Sequence, residues 1–152
     1  MIRELEKMCF QREFDKEKAE QIMKQIDVNQ VFKGSRSSLD TTLLTRAAEE
    51  ANYEMVKLLL SNGADPNLVY DDGTENVLWM LQYSEEDTQE NEIRLNIVKL
   101  LLENGADPHL KVEDDDLHDW ALAALQDDYG TQFEYRNRFI DLLEAYDFQR
   151  DF

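Results

Sequence analysis

Apolar residues along this chain fall into helical stripes, and the stripes come in pairs. Leu43, Leu44, Ala47 and Ala48 share one face of a helix, and Met55, Val56, Leu59 and Leu60 share one face of the next, with Asn52 offering a side-chain oxygen to cap the second. Gly63 stops that helix because glycine accepts a left-handed backbone, and Pro66 forbids resumption. The stretch Val56 to Pro66 returns as Val98 to Pro108 with ten of eleven positions identical, at an offset of 42 residues. A further step of 42 lands on Ile140, where Phe139-Ile140-Asp141-Leu142-Leu143 keeps the apolar pattern but lacks the Gly-Ala-Asp ending. Upstream, Ala19, Ile22, Met23 and Ile26 follow the i, i+3, i+4, i+7 spacing, and Asp27-Val28-Asn29 stands where Asp65-Pro66-Asn67 stands later. Ile2, Leu5, Met8 and Cys9 form the opening stripe, with Phe14-Asp15 as staple and cap for the helix that follows. The pattern predicts an all-α protein of eight helices in four pairs.

One Asn-Gly-Ala-Asp-Pro would be a helix cap followed by a turn; two near-identical copies make a repeat. The repeat resembles that of the ankyrin family, whose unit runs about 33 residues. Thr42-Leu43-Leu44-Thr45-Arg46-Ala47-Ala48 is similar to the family's first-helix opening with its Pro and His replaced, and Asp71-Asp72-Gly73-Thr74 is similar to its hairpin turn. The likeness is strongest over residues 40 to 110. It implies one ankyrin-repeat solenoid over residues 1–152, with a capping unit at 1–29 and repeats at about 38–70, 71–112 and 113–152. Each unit here is longer than the family's, and the excess is expected as elongated turns between paired helices, at Ser84 to Asn91 and roughly Asp127 to Gln132. Terminal units of a stack need polar outer faces, which Glu4, Glu6, Arg12, Glu13, Lys16, Glu17 and Lys18 supply at one end and Arg136, Arg138, Asp141 and Glu144 at the other.

Charge narrows the partners. With 34 acidic and 16 basic side chains the formal net charge is −18, a field that repels nucleic-acid phosphates and anionic lipid surfaces, so neither is expected as a partner. Apolar blocks such as Leu58 to Leu60 are far too short to span a membrane. A single cysteine and a charged opening, Met-Ile-Arg-Glu-Leu-Glu-Lys, point to the cytoplasm. The field is also lopsided. Residues 71–128 hold 17 acidic and 3 basic side chains, a net of −14, whereas residues 1–70 hold 12 and 10, a net of −2. Crowding like charge costs stability through self-repulsion, so the segregation points to an oppositely charged partner.

Catalytic chemistry finds little support. His109 and His118 have no zinc-site spacing and read as surface histidines. Asp114-Asp115-Asp116 with Asp119 lacks the alternating ligands and central glycine of a calcium loop and reads as a solvated turn. Cys9 lies on an apolar stripe without a His-Asp pair, and no glycine-rich phosphate cradle occurs. A hydrolase using Asp115 and Asp119 would need one acid kept protonated in an apolar pocket, which this polar run does not suggest. No catalytic, cofactor or metal residue is therefore assigned.

The family resemblance implies a partner on the concave side, formed by hairpin tips and the first helix of each pair. Carried over by position, that surface comprises Glu49, Glu50, Asp71, Asp72, Tyr83, Asp114, Asp115 and Gln126. Trp79 and Trp120 have apolar neighbours and read first as core, second as anchors; Tyr129, Phe133 and Tyr135 are less easily buried. The expected function is a non-enzymatic module, monomeric when free, that binds a basic protein, a toxin or a regulatory protein, through an acidic face. Small acidic ankyrin-like proteins resemble immunity proteins, which implies inhibition as the sharpest form. The alternative is an adaptor or effector that docks a host or regulatory protein through the aromatic loop residues.

Overall fold

The computed structural model describes residues 1–35, 39–71 and 73–150, and among these it contains eight helices in four antiparallel-type pairs. The first helices are α1 (Ile2–Cys9), α3 (Leu43–Glu49), α5 (Val77–Met80) and α7 (Leu117–Leu125). Their mates are α2 (Lys16–Met23), α4 (Tyr53–Ser61), α6 (Thr88–Glu103) and α8 (Gly130–Arg150). Contacts run along two layers, α1 to α3 to α5 on one side and α2 to α4 to α6 to α8 on the other. Short antiparallel hairpins join successive pairs: β1 (Phe32–Lys33) with β2 (Asp40–Thr41), a single bridge between Tyr70 and Glu75, and β3 (Lys111–Val112) with β4 (Asp115–Asp116). The fold is thus an all-α solenoid with hairpin-like turns.

The offset of 42 is a packing register. Leu59, Leu101 and Leu143 are all fully buried, as are Met55, Ile97 and Phe139 one turn earlier, and Val56, Val98 and Ile140 follow closely. Cys9 joins this core, where burial pushes its thiol up to about 12 and keeps it protonated. Backbone ties reinforce the stacking. The Asn29 side chain donates to the Gly63 carbonyl at 3.0 Å and accepts from the Asp65 N–H at 2.8 Å; Asn67 does the same to Gly105 and Asp107 at 2.9 and 2.7 Å. Gly63 and Gly105 hold φ of 94° and 95°, the left-handed cap that leaves those groups exposed to the asparagine.

The extra length of the later units is divided between turn and helix. Leu81 to Asp87 form a connection longer than the three-residue turn after α3, but Thr88 to Asn91 belong to α6, capped by Asp87, whose carboxylate accepts from the Gln89 and Glu90 N–H groups. Likewise, α8 begins at Gly130, so the second half of the expected turn at 127–132 is helix. In the first insertion the reason is the Asp87 cap, after which Gln89 and Glu90 favour helix.

The three later turns between paired helices are each held by a polar residue at the same register. Asn52 caps α4 through the Met55 N–H at 3.1 Å and donates to the Met8, Cys9 and Gln11 carbonyls at the end of α1. Its equivalent Arg94 donates to the Tyr83 carbonyl at 3.0 Å, and Arg136 to Gln82 and Asp128 at 2.6 and 2.5 Å.

Candidate protein-binding face

Hairpins and first helices share one face, because each hairpin feeds directly into the N-cap of a first helix. Thr42, Asn76 and Asp116 are those caps, accepting from Thr45, from Leu78 and Trp79, and from Asp119 respectively. Counting from the caps aligns three rows across the face: Thr45, Trp79 and Asp119; Arg46, Met80 and Trp120; Glu49, Tyr83 and Ala123.

Between the first two hairpins lies a cleft of about 180 Å³, lined by Leu39, Asp40, Glu49, Tyr70, Asp71 and Glu75, with Arg46 and Met80 behind. Its floor is an ion network. Arg46, only 9% exposed, pairs with Glu49 at 2.8 Å and approaches Glu6 at 3.6 Å, while Glu6 also holds Arg3 at 2.8 Å and the Ser35 N–H at 2.9 Å. Burial raises the Glu6 carboxyl, but the Ser35 and Arg3 contacts outweigh it and hold Glu6 below the usual range. Gly34 leaves room for this network, since a Cβ there would push the Arg46 guanidinium aside. Arg46 does not neutralise the cleft. Burial pushes the Glu49 carboxyl up despite Arg46, with Glu50 adding to it; burial and then the neighbouring Asp71 raise Glu75. Among the described residues, no cation pairs with Glu75 or Asp71.

The third hairpin turns through Glu113 and Asp114 with φ of 52° and 69°, a two-residue turn of the mirror-image kind that glycine or asparagine usually makes. It projects Asp114 and Asp115, both exposed, and leads into α7, where Asp119 is exposed as well. Trp79 lies half-buried beneath this hairpin, donating its indole N–H to the Leu110 carbonyl at 3.1 Å. Trp120 packs against it at 5.8 Å between ring centres yet stays 43% exposed.

The sequence of one known family, ankyrin repeats in three copies, matches residues 15–112. The chain belongs to the ankyrin repeat family. No curated protein matches it. Ankyrin repeats are generally protein-protein interaction modules, typically without catalytic activity, and this stack presents the hairpin and first-helix face through which such a module can act.

Of the residues assigned from the ankyrin resemblance, Glu49, Asp71, Asp114 and Asp115 lie on hairpins or first helices, whereas Tyr83 lies in the connection that follows α5, 49% exposed with the Arg136 guanidinium 5.0 Å from its ring centre. Asp72 falls outside the described residues. Glu50 ends α3 and lines a different cleft of about 360 Å³, with Cys9 to Arg12, Asn52 and Ile93, at the turns between paired helices. Gln126 is exposed at the end of α7. Sequence reasoning missed Glu75, which the Tyr70 to Glu75 bridge brings into the cleft, and missed that Trp79 and Trp120 differ in exposure. Tyr129 and Phe133 are exposed at 86% and 40%, but Tyr135 is buried, with its hydroxyl on the Leu81 carbonyl at 2.5 Å.

The histidines are not free surface groups. His109 replaces the asparagine of earlier units and places Nδ1 2.9 Å from Asp116 and Nε2 2.9 Å from Asp147, while His118 lies 3.0 Å from Glu144 and edge-on to His109. The Asp147 bond, then Asp116, raises the His109 pKa against an opposing effect of burial. Among the described residues no group of three or more His, Cys, Asp or Glu is arranged to hold a metal ion, and no helix is long and apolar enough to cross a membrane.

Proposed function

We propose that this ankyrin repeat protein binds a basic protein through its hairpin and first-helix face and, in doing so, inhibits it. The observation that supports this reading is the uncompensated carboxylate on that face: Asp71, Glu75, Asp114 and Asp115 have no described cation beside them, and Glu49 and Glu75 are raised rather than lowered. A cationic partner gains from every one of these groups, and a protein that works on nucleic acid carries a cationic cleft in which carboxylates can stand in for phosphates. The stack acts as one unit over residues 1–152, monomeric when free and cytoplasmic, with neither nucleic acid nor membrane as partner.

The test compares wild-type bait with a variant carrying Asp71→Lys, Asp114→Lys and Asp115→Lys, all exposed and outside the core. A basic protein retained by the wild type, released by moderate salt and absent from the variant is the expected result. Retention on both baits, or release that ignores salt, defeats the proposal. In that case, exposed Tyr129 and Phe133 favour the second reading, an adaptor that docks through aromatic residues.

A further inference from the structure

The fold uses one arrangement repeatedly for its own arginines. Arg46 sits 5.5 Å from the centre of the Phe10 ring and pairs with Glu49; Arg136 sits 5.0 Å from Tyr83 and pairs with Asp128; Arg3 sits 5.7 Å from Phe32 and pairs with Glu6. Each guanidinium thus has an aromatic face for its plane and a carboxylate for its N–H edge, the two interactions that distinguish arginine from lysine.

Trp120 offers an open aromatic ring of the same kind without an arginine on it, in a stretch of the chain rich in carboxylates. It occupies the row of Arg46 and Met80, one side of its indole rests on Trp79, and the rest of the ring is open. Asp119 precedes it with its side chain 78% exposed, 4.0 Å from His118, and Asp114 and Asp115 stand on the hairpin that leads into the same helix. The basic groups nearby are occupied or lie along the strand: His109 is held by Asp116 and Asp147, His118 by Glu144, and Lys111 faces Asp116 in the hairpin register.

We infer that Trp120, on the helix that the acidic Asp114–Asp115 hairpin leads into, is an arginine-selective subsite that docks an arginine side chain of a basic polypeptide partner. This deepens the proposed function and rests on it. A lysine would satisfy the carboxylates equally well as a point charge. The planar, weakly hydrated guanidinium gains more from the open indole face than an ammonium does, because it can also stack on it.

The experiment titrates the full chain at low ionic strength with two peptides of equal length and charge, one alternating arginine and alanine, the other lysine and alanine. Binding is read by calorimetry and by indole fluorescence. The arginine peptide is expected to bind about three- to tenfold more tightly. Trp120→Ala is expected to erase that preference while leaving lysine-peptide affinity and the helical signal unchanged, and Trp120→Phe to keep part of it. Equal affinities in the wild type, or a preference that survives Trp120→Ala, overturn this subsite and leave the basic-partner reading standing. If neither peptide binds, both fall.

Discussion

The two sides of each helix pair follow different rules. In the core, positions 42 residues apart carry Leu59, Leu101 and Leu143, then Val56, Val98 and Ile140, with near-identical shapes and almost no exposure. On the hairpin-facing side, the aligned rows carry Arg46, Met80 and Trp120, or Glu49, Tyr83 and Ala123, and exposure grows along the stack from 9% at Arg46 to 43% at Trp120. A core residue must fit neighbours in its own unit and in the next, which leaves little freedom at close packing. An exposed face residue such as Trp120 answers chiefly to solvent and to whatever docks there. The face therefore differs from unit to unit, and in those differences the specificity of an interaction module can reside.

The largest effect belongs to the core. Leu59→Ala and Leu101→Ala should each cost about 2 to 5 kcal/mol in denaturant unfolding, because the cavity left behind is closed on both sides by neighbouring units. Trp120→Ala, on the other side of its helix pair, should change stability by less than about 1 kcal/mol. Similar costs for the two kinds of site would break the contrast between a shared core and an individual face.

Next come the turns that hold the two sides together. Asn52→Ala removes a helix cap and the donor to the last two carbonyls of α1 and to that of Gln11, so a loss of about 1 to 3 kcal/mol is expected, and it should loosen the end of α1 first in hydrogen exchange. The equivalents Arg94 and Arg136, inside α6 and α8, share the donation to the preceding turn but not the cap, which marks this register as a third kind of site, partly shared in role across units but not in residue type.

How much of this was legible in the sequence follows the same division. The core register could be read directly, since burial from two sides forces Val98 to Pro108 to copy Val56 to Pro66. The caps Asp15 and Asn52 were legible because a side-chain oxygen before an apolar stripe has few other uses. The turn insertions were legible only as extra length: whether Thr88 to Asn91 coils or extends α6 depends on the Asp87 cap competing with solvent, a balance no periodicity records. On the face, charge type was legible but placement was not. Glu49 and Glu50 are adjacent in sequence yet line separate clefts, because α3 ends between them. Glu75 carried no signal until the hairpin closed across Tyr70.

A smaller effect on stability, and a large one on binding, is expected from charge. Reversing Asp71, Asp114 and Asp115 to lysine should leave unfolding within about 0.5 kcal/mol of wild type, or raise stability slightly by relieving self-repulsion in residues 71–128. Moderate salt should stabilise the free protein for the same reason while slowing association with a basic partner. The matched control reverses Glu4, Glu13 and Glu17 on the opening unit; Glu6 is unsuitable because it is 1% exposed and anchors Arg3 and Arg46. Equal loss of binding in control and face variants would mean that net charge alone matters.

The smallest effect sharpens the comparison at the end of the stack. Asn29 and Asn67 tie their units to a following Gly-Ala-Asp segment; the last unit has no such segment to follow, and His109 instead spans Asp116 and Asp147. Both ring nitrogens can donate to carboxylates only in the imidazolium form. The folded pKa of His109 is raised, chiefly by Asp147, so its contribution is fully present below the unfolded value of about 6.5 and is lost as pH rises through the folded value. The side chain is 35% exposed, and solvent screening keeps the effect modest. Thermal unfolding followed from pH 6 upward, to about pH 8, should therefore show wild type losing stability relative to His109→Asn, which restores the residue of the earlier units and cannot titrate. His118, facing Glu144 and Asp119, is present in both proteins, so the difference between them isolates the spanning imidazolium. A constant gap across this range would mean that the His109 bridge is neutral in the folded protein and that the last tie, like the asparagine ties before it, ignores pH.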